Sequence, residues 1–164
     1  GKRSLADLMK FKGIGEAKAI TIAAALELGR RRQGSDLLER SMVTSSRDAY
    51  NLVAPLVLDL AHEEFWLLML NRANKVMHKE KMTSGSVDAT IVDVKMVFRK
   101  ALEGQAVSIV ACHNHPSGSL RPSQADVDLT RKIKQAGEII GIALLDHLII
   151  SERGYFSFAD EGMI

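Results

Sequence analysis

Only one cysteine, Cys112, stands among the 164 residues, so no disulfide can form within the chain. Aromatic residues are scarce at 5% against a hydrophobic content of 46%, which leaves material for one moderate, mainly aliphatic core and a small appendage. No run approaches the 18 or so uncharged apolar residues that a membrane span needs, and no signal peptide is visible. A cytoplasmic location with no membrane partner is therefore expected. A strong charge of one sign is lacking too: a formal net charge of +2 is too small to argue for nucleic acid by itself.

What is present is concentrated in one stretch, His113-Asn114-His115-Pro116-Ser117-Gly118, carried on to Pro122-Ser123-Gln124-Ala125-Asp126. The preceding run from Ala106 to Cys112 is apolar and β-branched and reads as a buried strand. Residues two apart in extended chain share a face, so the imidazoles of His113 and His115 can converge on one ion. Turn chemistry from Pro116 to Pro122 then reverses the chain into an amphipathic helix beginning near Ser123. Asp126 falls in its first turn. Two imidazole nitrogens and one carboxylate oxygen are the ligand set of a catalytic zinc whose fourth position is left to water. Ser123 and Asp126 equally spell a capping box, which needs no metal. Cys112 points away from both histidines by alternation and reads as a small buried hydrophobe.

Elsewhere the pattern alternates helices and strands. Leu5 to Arg32 reads as helical with a tight break at Gly13-Ile14-Gly15. The basic, polar stretch Arg30-Arg31-Arg32-Gln33-Gly34-Ser35 reads as a linker, which separates a module of residues 1–34 from a domain of residues 40–164. A helix is expected from Ser45-Ser46-Arg47-Asp48 to about His62, with Pro55 marking a kink or a boundary. Strands are expected at 65–70, 75–82, 107–113, 142–150 and 155–158, with a break at Thr83 to Ser86 before Val87 to Val92. Asp93 is a candidate cap for a helix from Val94 to Glu103, stopped by Gly104. His78 falls on the polar phase of its strand and is expected at the surface. Glu63 and Glu64 stand at the mouth of the strand from Phe65 to Leu70. Acids are costly there unless solvated or used, and such a mouth suits a general base. By alternation the two face opposite sides, so at most one points into the site.

His-x-His, seven residues, Ser, two residues, Asp is the JAMM motif of the JAB/MPN metallopeptidases, matched without a gap at His113, His115, Ser123 and Asp126. The chain more closely resembles the bacterial RadC proteins, which share His-Asn-His-Pro-Ser-Gly, Pro-Ser-x-x-Asp and a later Leu-Asp-His, here Leu145-Asp146-His147. It departs from them where Val94-Lys95-Met96 stands in place of their usual Pro-Arg-Glu. The resemblance implies a mixed α/β sheet with flanking helices, the JAB/MPN or cytidine-deaminase-like architecture. It implies Zn2+ on His113, His115 and Asp126, a glutamate as general base, and Ser123 holding the developing oxyanion. The wider superfamily's spacing favours Glu64 as that base, whereas the RadC pattern Glu-x-Phe favours Glu63, by a small margin the preferred one. The implied activity is hydrolysis of an amide or isopeptide bond in a protein or peptide substrate. Zinc deaminase chemistry fits less well, because it needs a Cys-x-x-Cys pair. The resemblance also implies a small N-terminal helix-hairpin-helix-like module, in which Gly13, Gly15 and Lys18 could hold a DNA phosphate. A DNA-repair-associated module with a structural or vestigial metal site is thus the alternative reading. His147 beside Asp146 reads either as an outer partner of a ligand or as a residue bonded within the sheet.

Overall fold

The computed structural model describes residues 5–38, 41–84 and 92–164. The chain divides into two compact units, Gly1–Glu39 and Arg40–Ile164. In the first, α1 (Leu5–Met9) is followed by a turn and by α2 (Glu16–Leu38). Gly13 has a φ of +87°, a conformation that a side chain disfavours, and the Lys18 ammonium donates to its carbonyl at 3.1 Å. Gly15 caps α2 through its carbonyl, which accepts from the Ala19 N–H at 3.0 Å. The expected linker at Arg30 to Ser35 is instead helix, since α2 runs through to Leu38. Arg and Gln are good helix formers, and the roughly 1 kcal/mol cost of Gly34 is small enough for a 23-residue helix to carry.

In the second unit, α3 (Ser46–Val57) precedes a hairpin of β1 (Glu64–Leu70) and β2 (Val76–Ser84). Next come α4 (Val94–Glu103), β3 (Ser108–Asn114), α5 (Gln124–Ile140), β4 (Ala143–Ser151) and β5 (Gly154–Ser157). Helix α3 ends sooner than expected. Pro55 lies in its last turn, and the Leu58 N–H closes the helix on the Ala54 carbonyl at 3.1 Å, so the proline marks a boundary. Strand β2 extends to Ser84, and the expected segment from Gly85 to Ile91 lies outside the described residues. His78 is exposed.

The five strands form one mixed sheet in the order β2-β1-β3-β4-β5. Only β3 and β4 are parallel, and α5 makes the crossover between them. Strand β3 is buried along its whole length, which explains its unbroken apolar character. One sheet face carries Phe65, Leu67, Met69, Ile109 and Ala111, packed with Val97, Phe98 and Ala101 of α4 and Ile133 of α5. Burial of each large side chain there contributes about 1.5–3 kcal/mol. Helix α3 lies on the sheet with Ala49, Val53, Ala54 and Val57 buried. His113 continues the Ile109–Ala111 phase, so it stands at the end of the α4–α5 core.

One irregularity decides what β4 presents to that core. Ile109 pairs with Leu144 but Val110 pairs with Asp146, which leaves Leu145 as an extra residue. A bulge of this kind shifts the alternation by one position. Leu144 and His147 therefore share the α5 side of the sheet, while Asp146 joins Val110 on the other.

Candidate metal centre

Three elements deliver the candidate ligands. The end of β3 supplies His113, the loop just after the strand supplies His115, and the first turn of α5 supplies Asp126. His113 Nε2 lies 3.0 Å from His115 Nε2 and 3.2 Å from Asp126 Oδ1, and His115 Nε2 lies 3.6 Å from Asp126 Oδ2. Their side chains are 6%, 12% and 15% exposed, shielded but still reachable from solvent. Among the described residues this is a group of His, Cys, Asp or Glu side chains with the spacing to hold a metal ion.

Each ligand is held by its surroundings. Gly118, at a φ of +78°, turns the chain so that the Ser119 carbonyl accepts from His115 Nδ1 at 2.9 Å. Because a carbonyl only accepts, His115 carries a proton on Nδ1, and the neutral imidazole therefore turns a lone pair on Nε2 towards the centre. His113 Nδ1 meets His147 Nε2 at 2.9 Å, and His147 Nδ1 meets Thr130 Oγ1 at 2.6 Å. Asp126 Oδ2 accepts from the Ser123 N–H at 2.7 Å and from its hydroxyl at 2.6 Å, so the carboxylate caps α5 while Oδ1 faces His113. The capping and the ligand readings of Asp126 thus describe one and the same side chain.

Electrostatics follow from this crowding. Burial pushes the Asp126 carboxyl up, but the adjoining His113 and His115 imidazoles, in the form that carries positive charge, and the Ser123 hydroxyl outweigh it and hold the group far below the usual carboxylate range. The Asp126 hydrogen bond raises the His115 pKa against the opposing effect of burial, with further help from the Ser119 carbonyl and from the charge of Glu63. Burial holds His147 well below the ordinary histidine value. Burial also pushes the Cys112 thiol up, consistent with an inert residue in the sheet interior. Imidazole nitrogens and a carboxylate oxygen converging this closely suit a divalent cation.

The two glutamates at the mouth of β1 have separate surroundings. Glu64 is buried, and its carboxylate accepts from Trp66 Nε1 at 2.9 Å and Lys81 Nζ at 3.2 Å, with His62 Nε2 at 3.1 Å. Burial raises its pKa, but these partners more than offset that and leave it lowered. Glu63 is half-buried and shares the phase of Phe65, whose ring stacks on His113 with centroids 6.2 Å apart. Asn114, between the two histidines, braces this mouth. Its Oδ1 accepts from the Glu64 N–H at 2.7 Å and its Nδ2 donates to the His62 carbonyl at 3.0 Å, bracketing Glu63. Neither Asn114 nor Thr130 was singled out by sequence pattern. Gly13, Gly15 and Lys18 belong to the other unit, where the Lys18 ammonium is engaged by Gly13.

Comparison with known proteins shows the family. The family described as RadC-like JAB domain matches residues 43–163. A UPF0758 protein of Flavobacterium johnsoniae is 54% identical over 162 residues, covering 99% of this chain and 71% of the relative. A UPF0758 protein of Porphyromonas gingivalis is 44% identical over 155 residues, covering 94% of this chain and 68% of the relative. A third, from Shouchella clausii, is 41% identical over 158 residues, covering 96% and 69%. With residues 43–163 matched by the family and such relatives aligned over nearly the whole of this chain, the chain belongs to the RadC-like JAB domain family.

Proposed function

We propose that this protein is a zinc metallohydrolase that cleaves an amide or isopeptide bond in a peptide or protein substrate. The observation that carries the reading is the convergence of His113, His115 and Asp126, whose candidate ligand atoms all lie within 4.8 Å of one another. His113, His115 and Asp126 would hold the zinc, which when bound would supply a Lewis acid and acidify a water to a pKa near 7. Glu63 would be the general base and acid at this centre, accepting a proton from the attacking water and returning it to the leaving amine. Two observations support Glu63 over Glu64: its charge acts on His115, and it shares the phase of Phe65, whose ring lies against His113. The Glu64 carboxylate is committed to Trp66, Lys81 and His62. Ser123 donates to the developing oxyanion once its hydroxyl proton swings from Asp126 Oδ2 to the substrate oxygen.

The test is elemental mass spectrometry of the purified protein, followed by screening of amide and isopeptide peptides. About one zinc per chain is expected, and Glu63→Gln is expected to retain it while losing roughly 10²–10⁴ in rate. A wild-type protein that takes up no zinc when reconstituted in excess sinks the hydrolase reading. Full turnover in Glu63→Gln removes Glu63 from the base role.

A further inference from the structure

Thr130, His147 and His113 form a buried row of hydrogen bonds to which the hydrolytic reading gives no part. Thr130 on α5 is 3% exposed and His147 on β4 is 0% exposed. Thr130 Oγ1 donates to the Asp126 carbonyl at 2.6 Å and also lies 2.6 Å from His147 Nδ1. A hydroxyl has one proton, and a carbonyl oxygen can only accept. With that proton given to Asp126, Thr130 can only accept from His147, whose proton must therefore sit on Nδ1. His147 Nε2 is then a lone pair, and it accepts from His113 Nδ1 at 2.9 Å. This leaves His113 with its own lone pair on Nε2, the atom that faces His115 and Asp126.

We propose that Thr130 and His147 are positioning residues that fix His113 in the tautomer whose Nε2 can bind a divalent metal. The inference rests on the metal-centre reading and deepens it. The relay is anchored on the main chain of Asp126, so the residue that offers a carboxylate to the centre also sets the tautomer of the imidazole opposite. Partners of this kind orient metal-ligating imidazoles and contribute strongly to affinity. The Leu145 bulge is what makes the row possible, because it turns His147 towards α5.

The test uses the full chain as wild type, Thr130→Val and Thr130→Ser. Zinc affinity is measured by competition with a chromophoric chelator, and nitrogen-15 spectra of the metal-free proteins report the imidazole tautomers. Valine keeps the shape of threonine but removes the hydroxyl. It thereby lets His147 carry its proton on Nε2, donate to His113 Nδ1 and move the His113 proton to Nε2. Zinc affinity is expected to fall about 10- to 100-fold in Thr130→Val and to stay at the wild-type level in Thr130→Ser. The proposal is overturned by an unchanged affinity in the valine variant, or by an equal loss in the serine variant, which would implicate packing. A neutral wild-type His113 whose single proton sits on Nε2 rather than Nδ1 overturns it without any variant. Should the wild type bind no zinc at all, the metal reading fails, while the tautomer spectra still decide the relay.

Discussion

Helices α3 and α5 begin with the same hydrogen-bonded box, yet only one of them opens onto a candidate metal centre. In the first, Asp48 Oδ2 accepts from the Ser45 N–H and hydroxyl, both at 3.0 Å, and from the Thr44 N–H at 2.9 Å and hydroxyl at 2.8 Å. In the second, Asp126 Oδ2 accepts from the Ser123 N–H at 2.7 Å and hydroxyl at 2.6 Å. The local chemistry is shared, and both satisfy orphan donors at a helix start. The difference lies in what the rest of the fold brings to the other oxygen. Asp126 Oδ1 meets His113 at the end of β3, while the side-chain partners described for Asp48 all come from its own turn. A four-residue motif thus acquires chemistry from a strand that ends nine residues before it, at Asn114.

The comparison is broken most severely at the acids. Asp126→Ala is expected to weaken zinc binding by more than about 100-fold, beyond the roughly 10- to 100-fold loss typical of an outer partner. Asp48→Ala is expected to leave zinc binding unchanged. Both values come from the same chelator competition, and equal losses in the two variants would mean that the helix starts, rather than the carboxylate at the centre, control uptake.

The serines sharpen the contrast. Ser45→Ala and Ser123→Ala each remove a helix cap and are each expected to lower stability by about 1 kcal/mol in denaturant melts. Only Ser123→Ala is expected to cost roughly 10²–10³ in turnover of a peptide substrate, the usual loss for one oxyanion donor. If the two variants turn over equally, Ser123 is a cap and nothing more.

Much of this second unit was legible before any coordinates. The apolar runs behind β1, β3 and β4 and the turn-formers between them place the strands within a residue or two of where they lie, because burial on both faces demands such runs. Asp93 and Ser123 announced their helices because few other residues satisfy a helix start. Three features escaped for identifiable reasons. The Leu145 bulge breaks the period of two, so simple alternation puts His147 on the wrong side of the sheet. Thr130 looks like any helix-interior threonine until β4 is laid beside it. The neighbouring acids Glu63 and Glu64 differ only in phase, and phase acquires meaning once Phe65 is seen against His113. Over Arg30 to Ser35, composition misled outright: polar and basic residues with one glycine resemble a linker, but most of them are compatible with helix, and α2 continues.

The smallest effect tests whether the Asp48 box works as a charge or only as a shape. Hydrogen bonds from the Thr44 N–H, the Thr44 hydroxyl and the Ser45 hydroxyl lower its pKa below the ordinary aspartate value, against a minor opposing effect of burial. A carboxyl whose folded-state pKa is depressed stabilises the protein above its unfolded-state pKa, near 3.9, and loses that contribution as pH falls towards the folded value. Asp48→Asn removes the charge and keeps the shape. The stability gap between wild type and this variant is expected to be about 0.3–1 kcal/mol at pH 6 and to narrow below about pH 4, where the carboxyl of the unfolded wild-type chain takes up its proton before the folded one does. Urea melts of both proteins at pH 6 and pH 3.5 measure the gap. A gap of constant size across that window would show that the aspartate acts through geometry alone, and the resemblance between the two boxes would then end at their hydrogen bonds.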